Sequence, residues 1–166
     1  TELNKLISKQ VKKSGSKTTS FKLTPEQQLI SDDFVKNKTR LPWPVAEGFI
    51  SDTYGIKRHP VLIHVKTNNL GIDITTSKNA LVRSVFNGVV LSVNHMGNYG
   101  NVIVIQHGNY LTVYTNLFDI KVKEGDKVKT KDILGKVDHD NEKGDVLNFQ
   151  IWKNNETVNP ELWLAK

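Results

Sequence analysis

The chain has 166 residues, 37% of them apolar, which is enough for one folded domain with an appendage and too many for a disordered chain. It has no cysteine, which excludes disulfides and thiolate metal sites, and no run of about 18 apolar residues, which excludes a transmembrane helix. The formal charge of +6 favours anionic partners, yet the basic residues are not interleaved with aromatics in any nucleic-acid-binding pattern, so no nucleic-acid partner is expected.

Leu3, Leu6, Ile7 and Val11 recur at helical spacing, so the opening reads as a short amphipathic helix, the end of a longer coiled coil. Ser14 to Ser20 reads as a flexible linker. A second helix should run from Pro25 to Asn37. Thr24 caps it, Pro25 suits its first position and Gln27 completes a capping box. Leu29, Ile30, Phe34 and Val35 give it an apolar stripe, expected to brace it against the following domain. Leu41-Pro42-Trp43-Pro44-Val45 cannot continue a helix, because two prolines enforce an extended path. The chain therefore divides into 1–23, the coiled-coil end and linker, then a bracing helix over 24–40, then a β domain over 41–166.

Short strands are predicted at Ala80–Asn87, Val89–Asn94, Asn101–Gln106, Leu111–Asn116, Ile133–Val137 and Val146–Trp152, where Val, Ile and aromatic residues alternate with Gly, Asn and Asp turns. Turns at Asn87-Gly88, Gly97-Asn98 and Gly108-Asn109 favour antiparallel hairpins. Val122 to Val137 reads as a two-strand corner turning at Gly125-Asp126, studded by Lys121, Lys123, Lys127, Lys129 and Lys131. The fold class is mainly β, an antiparallel sheet domain preceded by short N-terminal helices. The corner also resembles biotinyl and lipoyl carrier domains, but Met96 is followed by Gly97, so the prosthetic lysine of a carrier is missing.

Three asparagine-bearing stretches bear on function: Asn69-Leu70-Gly71-Ile72-Asp73, Tyr114-Thr115-Asn116-Leu117 and Val146-Leu147-Asn148-Phe149-Gln150. In this order they resemble the LytM or lysostaphin family of zinc peptidoglycan endopeptidases, with motifs H-x-x-x-D, Y-x-H-L and H-L-H-F and a duplicated-hybrid-motif-like β fold. The resemblance runs from about Leu41 to Trp163. It also rests on Gly55 to Pro60, on Asn98-Tyr99-Gly100-Asn101 and on Val158-Asn159-Pro160. It implies that Asn69 and Asn148 stand where two zinc histidines would be, leaving Asp73 as the one remaining ligand. Asn116 and Val146 stand where two further histidines would polarise substrate or move protons.

A hydrolytic zinc takes three imidazole or carboxylate ligands and an open water position. An asparagine amide is a poor zinc donor, and valine is none. No metal, no cofactor and no catalysis are therefore expected. The resemblance implies instead a trough floored by Asn69, Asp73, Asn116, Val146 and Asn148, with Tyr99, Tyr114 and His107 near its walls.

The degenerate site and the ending Val158 to Leu164 look like the EnvC-type proteins of that family, which are exported, lack zinc and activate cell-wall amidases at division. The resemblance thus implies a periplasmic or cell-envelope protein whose partner is a cell-wall amidase, with peptidoglycan as a second candidate ligand. Two alternatives stay open: a zinc endopeptidase with unusual ligands, for which His64, Asp73 and His107 form a conceivable set, and a peptidoglycan-binding module. His59 before Pro60 reads as part of a turn, and His95 and His139 as solvated.

Overall fold

The computed structural model describes residues 23–58, 61–62 and 64–166. The opening helix, its linker and the His59-Pro60 turn lie outside the described residues.

Helix α1 spans Pro25–Lys36. Thr24 Oγ1 accepts from Gln27 N at 3.2 Å while Gln27 Oε1 accepts from Thr24 N at 3.0 Å, the reciprocal cap expected from the sequence. Asn37 closes the helix, its amide Nδ2 donating to Asp33 O at 2.8 Å. The buried face differs from the predicted stripe. Ser31 and Phe34 are buried, whereas Leu29 and Val35 are 61% and 48% exposed. The reason is steric. Ser31 sits on the turn at Gly108, where a Cβ would stand 2.3 Å from Ser31 Cβ, so the helix lands on its Gln27-Ser31-Phe34 face. Phe34 then stacks on His107 and Tyr110, with ring centroids 5.0 and 4.8 Å away, and meets Trp163 at 5.0 Å.

The β domain contains β1 (Phe49–Asp52), β2 (Gly55–Arg58), β3 (Lys66–Asn69), β4 (Ile72–Thr75), β5 (Leu81–Arg83), β6 (Gly88–His95), β7 (Asn101–His107), β8 (Tyr110–Phe118), β9 (Lys127–Val128), β10 (Ile133–Val137), β11 (His139–Asp140), β12 (Gly144–Lys153) and β13 (Glu156–Val158). The main sheet runs β1-β4-β12-β8-β7-β6-β9, with every pairing antiparallel. Strands β2 and β3 form a separate two-stranded sheet. The antiparallel β class expected from the sequence is what the chain adopts.

Two predicted hairpins are corrected. Asn87-Gly88 joins β5 and β6, which do not pair: β5 pairs with β10, and β6 with β7 and β9. Gly88 is needed there because a Cβ would lie 2.5 Å from Gln106 O. The corner at Gly125-Asp126 turns as expected, with Gly125 at φ 92°, but its strands β9 and β10 pair outward, with β6 and with β5 and β8. Long-range pairing outweighs the local hairpin tendency.

The central strands are apolar on both faces because both are covered. On β7, Ile103 and Ile105 face the main core with Ile72, Tyr114, Leu117 and Phe149, while Val102 and Val104 join Leu111, Val113 and Trp152 in a smaller cluster on the opposite face. The segment after α1 is tied to the chain's end, with Ala165 N donating to Leu41 O at 2.8 Å and Trp43 Nε1 to Ala165 O at 2.8 Å.

Candidate functional site

Side chains alternate across a strand, so Asn148, Gln150 and Trp152 on β12 share one face. Asn148 lies opposite Asp73 of β4 on one side and Thr115 of β8 on the other, making a transverse row of three. Asn69, at the end of β3, is delivered to this row by Gly71, whose Cβ position falls 2.0 Å from Phe149 O. Any side chain at 71 would push the segment off β12.

These groups form a directed chain of hydrogen bonds. Trp152 Nε1 donates to Gln150 Oε1 at 2.9 Å, and Gln150 Nε2 to Asn148 Oδ1 at 3.0 Å. Asn148 Nδ2 donates to Asp73 Oδ1 at 2.7 Å and to Asn69 Oδ1 at 3.1 Å. Asn69 Nδ2 donates to Asp52 Oδ2 at 3.1 Å, and the Lys57 ammonium also bonds Asp52. An indole nitrogen can only donate and a carboxylate only accept, so the two ends fix the orientation of every amide between them. The site thus presents N–H groups, not lone pairs, to Asp73.

That arrangement does not fit a zinc ion. A flipped Asn148 would set its oxygen against the oxygens of Asp73 and Asn69 and its NH₂ against that of Gln150. Asp73 is the only anionic or imidazole donor among Asn69, Asp73 and Asn148, one of the three ligands a hydrolytic zinc needs. His64 is exposed in the loop before β3 while His107 is fully buried, and no three His, Cys, Asp or Glu side chains converge on a metal position among the described residues.

Asn116 and Val146 lie beside this row. Asn116 is the bulge residue of β8, at φ 76°, and its amide donates to Val146 O at 2.8 Å and Asp138 O at 3.0 Å. It clamps three chain segments, which leaves its NH₂ no hydrogen for a ligand. Two adjoining clefts open over the row. One of about 440 Å³ is lined by Asp52, Asn69, Asp73, Tyr99, Lys143 and Asn148 among others, and one of about 210 Å³ adds Asn116, Asp140 and Val146. Tyr99, 39% exposed, stands at the mouth.

Two predicted wall residues are not there. Tyr114 is fully buried, because its neighbour Thr115 faces the trench and alternation sends Tyr114 to the core. Its hydroxyl accepts from Val85 N at 3.1 Å and shares a bond with Thr112, and burial pushes its phenol above the usual range. His107 points the same way as Ile103 and Ile105, into the core beneath α1. Its Nδ1 lies 2.7 Å from Asn87 O and its Nε2 2.8 Å from Thr112 Oγ1. Burial lowers its pKa to about 4, so the ring is neutral at pH 7, donating from Nδ1 and accepting at Nε2.

Lys143, Thr115, Asp52 and Gln150 line the trench, with Trp152 bonded behind Gln150, and none of these was anticipated. For Gln150 and Trp152 the signal was available in the period of two counted from Asn148. Two lysines of the basic stretch lie near carboxylates, Lys121 at 3.1 Å from Asp119 and Lys127 at 3.8 Å from Glu26.

Residues 67–160, which carry Asn69, Asp73, Asn116, Val146 and Asn148, match the model of peptidase family M23. The chain belongs to peptidase family M23. The M23 domain is 31% identical over 114 residues to an uncharacterized metalloprotease of Buchnera aphidicola, covering 68% of this chain and 30% of that protein. It is 30% identical over 126 residues to the murein hydrolase activator NlpD of Escherichia coli, covering 75% of this chain and 31% of NlpD. Its fold matches a zinc-containing peptidase from Vibrio cholerae with a TM-score of 0.65 and 28% identity, over 75% of this chain and 40% of that one. The chain thus spans about a third of the length of these curated relatives.

Proposed function

We propose that this chain is a catalytically inactive M23 domain of the exported cell envelope, and that its trench binds and activates a cell-wall amidase. One observation carries the reading: the Asn148 amide donates to Asp73, the residue that the resemblance marks as the one remaining metal ligand. A domain that keeps the frame and the cleft but not the ligands retains affinity as its useful output. An amphipathic helix laid in a trench is a common form of such recognition. The similarity to a murein hydrolase activator supports this reading, as does the resemblance of the degenerate site and of the ending Val158 to Leu164 to EnvC-type activators. A zinc endopeptidase is the second reading, favoured by the metalloprotease and zinc-peptidase relatives.

Elemental analysis and a peptidoglycan digestion assay, run with and without candidate amidases, separate the two. The expected result is no stoichiometric zinc, no digestion by the chain alone and stimulated digestion with a cognate amidase. Digestion by the chain alone with about one zinc per chain establishes the endopeptidase instead. Tyr99→Glu, at the exposed mouth, should abolish stimulation because an unpaired charge opposes docking. Reversing Lys121, Lys123 and Lys127 should leave stimulation intact; the opposite pattern moves the working surface to the basic stretch.

A further inference from the structure

The trench is acidic where the domain around it is close to neutral. Of the chain's formal +6, six lysines and one glutamate within residues 1–22 supply +5, so residues 23–166 carry +1, yet the two clefts are lined by three carboxylates, Asp52, Asp73 and Asp140, against one ammonium, Lys143. Asp52 is matched by Lys57 and Asn69. Asp140 accepts from Glu142 N at 2.7 Å and Lys143 N at 3.1 Å, bonds that hold its carboxyl below the usual range.

Asp73 is the carboxylate with capacity left. It is 8% exposed, and its Oδ1 is engaged by Asn148. Its Oδ2 faces Lys143 Nζ at 3.7 Å, too far for a hydrogen bond. Lys143 reaches in from the turn between β11 and β12 with 65% of its side chain exposed, so this ion pair is of the weak, solvated kind. A carboxylate this deep gains much more from a cation seated against it than from one hovering in water. A second unmet group lies in the same transverse row: Thr115, 3% exposed, lines both clefts, and its hydroxyl has no partner among the described residues. Asp73 and Thr115 thus flank Asn148, each with an oxygen able to accept.

We propose that the trench takes a lysine or arginine side chain of the protein partner against Asp73, and that Lys143 is a displaceable stand-in for it. This rests on the trench being the protein-binding surface. The acidic lining, three carboxylates against one ammonium, makes a basic side chain the favoured occupant, and an acidic or purely apolar one is disfavoured. Lys143 also lines both clefts, so it stands where they adjoin, over Asp73.

The test is a titration of the chain with N-acetyl-arginine methylamide and Nα-acetyl-lysine methylamide, with N-acetyl-norleucine methylamide as the uncharged control, followed by the side-chain amide signals of Asn148 in a ¹H–¹⁵N spectrum. The two cationic probes should shift those signals and the norleucine probe should not. Lys143→Met removes the competitor and should tighten the cationic probes by roughly threefold to tenfold, as expected when a blocked fraction is released. Lys123→Met, which changes the net charge equally on a distant surface, should have no effect. Asp73→Asn should weaken binding at least about tenfold, the loss expected for a charge-assisted bond. Lys143→Met lies at an exposed turn, so it reports even if Asp73→Asn does not fold. Binding of norleucine as tight as arginine, or no gain in Lys143→Met over Lys123→Met, overturns the proposal. If Asp73→Asn loses the probes yet stimulates an amidase normally, the basic side chain is not the partner's handle while the trench reading survives. Probe binding as expected with no amidase stimulated leaves the cation site standing and sinks the amidase.

Discussion

Replacing Asn148 by Asp changes one NH₂ to an oxygen and leaves the shape of the side chain intact. In the native trench that NH₂ lies 2.7 Å from Asp73 Oδ1 and 3.1 Å from Asn69 Oδ1. The variant loses a hydrogen bond to a charged group, about 1.5–3 kcal/mol. It also sets two carboxylates near contact, a repulsion of roughly 4 kcal/mol at an effective dielectric of about 20. Relaxation and the ammonium of Lys143 absorb part of this, so Asn148→Asp should destabilise the fold by about 3–5 kcal/mol at pH 7.

The pH dependence carries the diagnosis. A carboxyl crowded by a like charge has its folded pKa raised above the unfolded value near 4, so the penalty is absent below that value and appears as pH rises through the folded pKa. A proton shared between Asp73 and the new carboxyl would restore a donor where the amide stood. Urea unfolding followed by far-ultraviolet circular dichroism, in the presence of a chelator, should show most of the loss at pH 7.5 and little of it at pH 5.0, each relative to the unmutated chain. A loss below about 1 kcal/mol, or one equal at both pH values, would mean that the amide does not face Asp73 with its NH₂, and the argument against a zinc site would lose its footing.

Three further outcomes follow from the same geometry. His107 has its pKa lowered from 6.5 to about 4 by burial, so the unfolded chain takes up a proton that the folded one refuses; stability present above pH 6.5 should fall by about 3 kcal/mol on acidification to pH 4, and His107→Leu should flatten urea midpoints across that window. Phe34→Ala should cost about 3–5 kcal/mol in thermal or urea unfolding, while Leu29→Ala and Val35→Ala, on the exposed face of α1, should each stay within about 0.5 kcal/mol. Asn69→His with Asn148→His should create a three-ligand site with Asp73 that binds zinc by calorimetry, yet hydrolysis should remain feeble, because Asn116 and Val146 offer no proton transfer, a step worth roughly 10²- to 10⁴-fold.

Local chemistry was legible in the sequence. The cap at Thr24 and Gln27, the turns at Gly97 and Gly108 and the strands from Val89 onward follow from neighbours a few residues apart, and so did the antiparallel β class. The asparagine motifs also placed Asn69, Asp73 and Asn148 together, since their order matches that of a known family. Strands β2 and β3 were not legible, because Lys66-Thr67-Asn68-Asn69 and its partner Gly55-Ile56-Lys57-Arg58 are largely polar and half-exposed, held by pairing rather than by apolar alternation. The wrong stripe on α1 has the same origin: helical spacing shows which residues share a face, but Gly108, far along the chain, decides which face finds room.

The sequence by itself determined the family frame and the positions of most of the trench floor, because those depend on residue identity and order. Only the tertiary structure decided what the asparagines of that floor do. It sent Tyr114 and His107 to the core, turned the amides of Asn148 and Gln150 into a one-way relay between an indole and two carboxylates, and brought Lys143 over Asp73. Alternation along a strand says which side chains share a face, but which face is buried, which way an amide is turned and which charge stands opposite arise between strands distant in sequence.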